Sequence, residues 1–195
     1  MTVRPSLLSL LRDATRETHQ RLHGHAGFSA IQSGTATTDQ YLWMLRRLYG
    51  FHRAYEQAAL CGVVRTTWLE TDLMTLGETP HSLYLLPRCA DLPRLETLNQ
   101  RLGARYVVDG SALGGREMAR GLDGLLGAGV PAGRRFFLGH GAATGDVWRQ
   151  VMALLADAPE TDQAQTEIVN AAAATFSAFE RWAAGWSDKT DDEPG

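Results

Sequence analysis

Apolar residues in this chain recur every three or four positions. Leu7, Leu8, Leu11, Ala14, Thr15, Thr18 and Leu22 trace one such stripe, and Tyr41, Leu42, Leu45, Leu48, Tyr49, His52 and Tyr55 trace another. At 3.6 residues per turn each set falls on one face of a helix, whereas a strand would scatter it over both faces. No alternating apolar–polar run bounded by hairpin turns competes with this pattern. The spacing predicts an all-α fold. A chain of 195 residues is long enough for one well-buried domain and cramped for two. We place that domain at residues 1–187, followed by a polar tail, 188–195, whose composition favours disorder.

Local signals set the expected boundaries. Pro5 and Ser6 suit a helix start and Gly24 an end. A second helix is expected from Thr38-Asp39 to about Cys61, with Asp39 as its N-cap and Gly50 as an interruption. Shorter helical patterns follow at 66–77 and 94–108, separated by a loop crossing marked by Pro80, Pro87 and Pro93. Residues 110–126 favour helix in their second half, but glycines loosen the first half. Gly127 to Gly133 reads as a break. Helices at 143–156 and 160–185, the last capped by Thr161 or Asp162, bring the total to about seven.

Charge and composition exclude several classes of function. A net charge of −3 gives no attraction for nucleic acid or an acidic membrane. No run approaches the roughly 18 apolar residues that span a bilayer. The N-terminus lacks the basic and apolar regions of a signal peptide. Cys61 and Cys89 have neither CxxC nor zinc spacing and read as reduced thiols. The expectation is a cytoplasmic protein.

Two segments could carry chemistry. In Leu11-Arg-Asp-Ala-Thr-Arg-Glu-Thr-His19, helical spacing puts Arg12, Arg16 and His19 on neighbouring turns of one face. An imidazole can ligate iron and guanidinium groups pair with carboxylates, so this face suits a flat, anionic iron porphyrin such as heme. A solvated helical face with a surface histidine has the same spacing. His19 and His23 are also an i,i+4 pair that could share zinc, although no third ligand has recognisable spacing. His25, His52, His81 and His140 read as structural or solvated.

The second segment is Gly110-Ser-Ala-Leu-Gly-Gly115, which has little side-chain bulk. Gly110, Gly114 and Gly115 permit a ligand to approach the backbone and a helix to distort, and they equally permit close helix packing. The segment lacks the Lys-Ser/Thr ending and preceding strand of a phosphate loop. In Asp146-Val-Trp-Arg149, Arg149 could add a cation at a pocket rim or simply face solvent. Phe176, Phe179, Trp182 and Trp186 on the last helix read as core rather than pocket.

Together these segments resemble the heme oxygenase family over nearly the whole chain. The resemblance rests on Ala14-Thr-Arg-Glu-Thr-His19, on Tyr41-Leu-Trp-Met-Leu-Arg-Arg-Leu-Tyr49, and on Arg105-Tyr-Val-Val-Asp-Gly-Ser-Ala-Leu-Gly-Gly115. The last is similar to the bacteriophytochrome-associated branch. The resemblance implies a single-domain helical bundle holding heme between the first helix and a glycine-rich distal helix. His19 would be the axial iron ligand. Arg12, Arg16 and Arg149 would face the propionates, and Gly110, Gly114 and Gly115 would lie over the ring. The implied reaction cleaves heme with dioxygen and electrons to biliverdin, carbon monoxide and ferrous iron, opening the alpha meso position.

The resemblance departs from the family at one position. Family members carry an aspartate shortly before the paired glycines, where this chain has Ser111, with Asp109 two residues earlier. Oxygen activation would then depend on Ser111, Asp109 or ordered water, and a heme carrier or sensor without turnover is the rival reading. Branches of the fold that handle thiamine pyrimidines or a di-iron centre fit less well, because no ExxH pair of the bundle type is present. With no flavin or nicotinamide fingerprint, the electron donor would be a separate ferredoxin or reductase. The product would serve as chromophore of a bacterial phytochrome or release iron for acquisition.

Overall fold

The first stripe becomes α1, Leu7–His23, in the computed structural model, which describes residues 5–62 and 64–184. Ser6 caps it by accepting from the Ser9 amide, Gly24 closes it, and Leu11, Thr15, Thr18 and Leu22 are buried. The Thr15 hydroxyl donates to the Leu11 carbonyl at 2.8 Å, which satisfies a polar group on the buried face. A short helix not foreseen from the sequence, α2 (Ala26–Gln32), follows, with the His25 imidazole accepting from the Gly27 amide.

The second stripe becomes α3, Thr38–Ala58. Its N-cap is Thr37 rather than Asp39. Thr37 accepts from the Gln40 amide and the Gln40 side chain answers the Thr37 amide, a reciprocal pair that satisfies two orphan donors. Asp39 sits inside the first turn, where its charge suits the helix dipole. Gly50 is required by packing: a Cβ there would stand 2.3 Å from the Pro87 carbonyl oxygen. The helix also ends three residues earlier than the expected Cys61.

Helix α4 spans Val64–Thr75. The expected proline-marked loop contains a further helix, α5 (Pro80–Leu85), because Pro80 suits a first helical turn and Thr79 caps it. Helix α6, Leu98–Ser111, begins four residues later than expected and runs on through Gly110. A 3-10 turn, Ala112–Gly114, then interrupts the helical path before α7 (Gly115–Gly121) and α8 (Asp123–Leu126). After the glycine-rich break come α9 (Arg135–Leu138), a second 3-10 turn (Gly141–Ala143), α10 (Thr144–Ala156) and α11 (Asp162–Ala184). Thr161 accepts from the Ala164 amide and caps α11.

Among the described residues there are eleven α-helices, two 3-10 turns and no strand. The excess over seven comes from short helices that carry too few residues to show a period. None of the described helices is long and apolar enough to cross a membrane. The proposed 188–195 tail and Trp186 lie outside the described residues.

Helix α11 packs along α6 and α1, while α3 packs on α4. Leu11, Val151, Leu155, Ile168 and Ala172 join α1, α10 and α11 in one buried cluster. A larger cluster around Tyr41, Met44, Leu45, Leu69, Leu73 and Leu122 anchors α3, α4 and the end of α7. Two buried charges fix the short elements against it. Asp72 accepts from the amides of Arg135 and Phe136 at 2.6 and 2.8 Å and so caps α9. Arg134 donates to the carbonyls of Ala119 and Gly127 and to Asp123, tying the break after α8 to the end of α7.

Candidate functional site

Helix α1 and the segment from α6 to α7 wall one cavity of about 530 Å³, within the size range of small-molecule and cofactor sites. Thr15, His19, Leu22 and His23 line it from α1. Residues from Tyr106 to Gly115, apart from Asp109, contribute from α6 and the 3-10 turn. Leu48, Phe51 and His52 of α3, Phe136 and Phe137 of α9, and Trp148 of α10 complete much of the wall. The lining is predominantly apolar and aromatic, with a few polar groups placed among it.

His19 reaches this cavity because the α1 stripe buries Thr15, Thr18 and Leu22, which rotates position 19 to the edge of the buried face. Its ring lies 6.1 Å from that of Phe176 and 4.6 Å from that of His23. Partial burial, helped by the neighbouring His23, lowers its pKa below the ordinary value. The neutral form, which has the lone pair needed to ligate a metal, is therefore favoured. Among the described residues no group of three or more His, Cys, Asp or Glu side chains gathers to hold a metal ion, so the His19–His23 pair has no third zinc ligand.

The three arginines of the sequence reading do not line the cavity. Arg16 is ion-paired with Asp13 and Arg149 with Asp146, each within its own helix. Both guanidiniums are exposed, at 63% and 78% of the side chain. Arg12 lies close enough to Tyr106, a cavity residue, to lower its pKa, although burial has the larger effect and raises it.

The glycines divide between the two roles foreseen for them. Gly114 has open space where a Cβ would project. Gly115 also borders the cavity, but a Cβ there would stand 2.4 Å from the Phe137 carbonyl oxygen, so its smallness serves packing of α7 on α9. Gly110 approaches the Trp148 ring, with 3.3 Å left for a Cβ. The expected helix distortion is present as the 3-10 turn at Ala112–Gly114, directly beside the cavity.

Ser111 lines the cavity, and its hydroxyl donates to the Val108 carbonyl at 2.8 Å. Its oxygen lone pairs are what it offers to a ligand. Asp109 is turned elsewhere. It is buried, ion-paired with Arg65 of α4 and held by Arg105 at 2.8 Å. Of the two polar side chains proposed for the distal side, the structure places Ser111 in the cavity and Asp109 in a buried ion cluster behind it.

Several cavity residues escaped the sequence reading. Phe176 and Phe179 line the pocket as well as packing on the core, which corrects their assignment to the core alone. Arg65, Trp68, Tyr106 and Trp148 also reach it. Arg65 stands at the start of α4 with no neighbouring motif to single it out. His52 was read as structural or solvated, yet it is both buried and part of the cavity wall.

The heme oxygenase family model matches residues 5–184. No curated protein matches the chain. Among solved structures, it is similar to a domain of unknown function with a heme oxygenase-like fold from Shewanella denitrificans. The identity is 12% and the TM-score 0.75, over 99% of this chain and 100% of that one. At that identity the likeness shows the fold. The helical architecture and a family match spanning every described residue lead to one conclusion: this chain belongs to the heme oxygenase family.

Proposed function

We propose that the cavity binds heme with His19 as the axial iron ligand and that the protein cleaves it to biliverdin, carbon monoxide and ferrous iron. The observation that carries this reading is that His19 and the segment Gly110–Gly115 border the same cavity, although separated in sequence. Heme, when bound, supplies the iron that activates dioxygen and is itself the substrate. Electrons come from a separate ferredoxin or reductase. The protein acts in the cytoplasm, and its product supplies the chromophore of a bacterial phytochrome.

The residues present suit that ligand. Phe28, Phe136, Phe176 and Phe179 offer ring faces and edges to a flat macrocycle and exclude water from it. The neutral His19 imidazole binds iron without first losing a proton. Gly114 leaves room where any side chain would intrude. Arg16 and Arg149 are held by exposed ion pairs worth about 1 kcal/mol or less, so they can turn from Asp13 and Asp146 to propionates at small cost. With Arg12 they would fix which edge of the ring enters first, and so favour cleavage at the alpha meso carbon.

A second reading, a heme carrier or sensor without turnover, is favoured by a specific observation. Asp109 is engaged by two arginines and the Ser111 proton by Val108, so neither offers a free acidic proton to the cavity. Purified protein mixed with hemin and supplied with ascorbate in air separates the two. Loss of the Soret band with growth of far-red biliverdin absorbance supports the enzyme, and chromatography identifies the isomer. A stable Soret band supports the carrier.

A further inference from the structure

We propose that His19 and His23 together hold a divalent first-row transition metal in the heme-free protein. Metal and heme then exclude each other, because both need His19. The metal pair stands on the geometry of α1, whereas the exclusion rests on the reading of the cavity as a heme site. Both histidines border the cavity and both are exposed. They lie four residues apart in a helix that runs unbroken to His23, so they share one face, one turn apart.

Their ring centroids are 4.6 Å apart and their planes are inclined by 57°. A ligating imidazole nitrogen stands about 2.1 Å from its metal, with the ring centroid about 1.1 Å further out. Two such rings at right angles around one ion have centroids roughly 4.5 Å apart, against roughly 5.2 Å at a tetrahedral angle. The observed spacing fits the right angle, the arrangement that Ni²⁺ and Cu²⁺ take with nitrogen and oxygen ligands. Among the described residues no hydrogen bond engages either imidazole, so neither ring is committed elsewhere. His23 is the last residue of α1, where the helix dipole favours a cation. Arg21 on the same turn is ion-paired with Glu180, which offsets its repulsion. No third His, Cys, Asp or Glu joins the pair among the described residues, so water fills the remaining positions. Ferrous iron freed beside His19 belongs to the class of metals that imidazole takes.

Calorimetric titration with nickel chloride tests the pair in heme-free wild type, His19→Ala, His23→Gln and the double variant. Wild type should bind one equivalent that the double variant lacks. Either single substitution should weaken it about a hundredfold, since a second tethered ligand multiplies affinity. Equal nickel affinity in wild type and either single variant overturns the site. Nickel should also raise the apparent hemin dissociation constant of wild type, but not that of His23→Gln, which keeps His19. Nickel that binds wild type without disturbing its hemin titration overturns the shared use of His19. Failure of wild type to bind hemin removes the heme reading and the exclusion with it, while the nickel titration still decides the pair.

Discussion

Arg65 of α4 donates to the Asp109 carboxylate of α6, and Arg105 meets the other oxygen of that carboxylate at 2.8 Å. The acid immediately before Gly110 therefore joins two helices beneath the cavity wall. Arg65 completes the arrangement by lining the cavity itself, with 11% of its side chain exposed.

Replacing Asp109 by Asn removes the negative charge between those two guanidiniums. Breaking a buried pair from one side is strongly unfavourable, so urea unfolding should show a loss of about 3 kcal/mol. Hemin affinity should change little. Unaltered stability together with abolished turnover would instead make Asp109 an acid of the cavity.

The paired glycines should respond differently to the same substitution. Gly115→Ala brings a methyl group against the Phe137 carbonyl, and backbone must yield, at a cost of about 1–3 kcal/mol. Gly114 has helical φ and ψ of −80° and −10° and open space beside it. Gly114→Ala should leave the unliganded protein as stable as wild type or slightly more so, while weakening hemin binding. Melting temperatures with and without hemin read both effects.

Stability should depend on pH through groups around the cavity. Burial holds the His52 imidazole well below its ordinary value of 6.5. As pH falls through that value the unfolded chain takes a proton that the folded chain refuses, so stability declines. His19, lowered for the same main reason, acts in the same direction. Asp72 has the opposite sign: burial pushes its pKa from 3.8 up to about 6. It therefore favours folding toward the acid side of that interval and opposes it as pH rises toward 6. His52→Phe should flatten the decline in denaturation midpoint between pH 7 and pH 5, and Asp72→Asn should steepen it. A His52→Phe profile matching that of wild type would show that His52 accepts its proton as readily when folded.

The long helices were legible because α1, α3, α10 and α11 each carry enough turns for their apolar spacing to repeat. Short α2, α5 and α9 were not, since they depend on capping by His25 and Thr79 and on the distant Asp72. Cavity-lining positions were legible where one segment carries its own signal, as with His19 and Gly114. They were not where the outcome depends on what meets across the fold. No local pattern shows that Arg65 reaches Asp109, that Phe137 occupies the space beside Gly115, or that the His52 ring packs against Phe136. The propionate role given to Arg12, Arg16 and Arg149 likewise came from the family resemblance, and all three stand outside the cavity lining.

An absorption titration of wild type and His19→Ala with hemin tests iron ligation by His19 most directly. Wild type should show a saturable Soret band at one equivalent. His19→Ala should show a weakened, shifted band that free imidazole restores toward the wild-type spectrum. An identical Soret spectrum and affinity in the two proteins would mean that the iron is not held by His19.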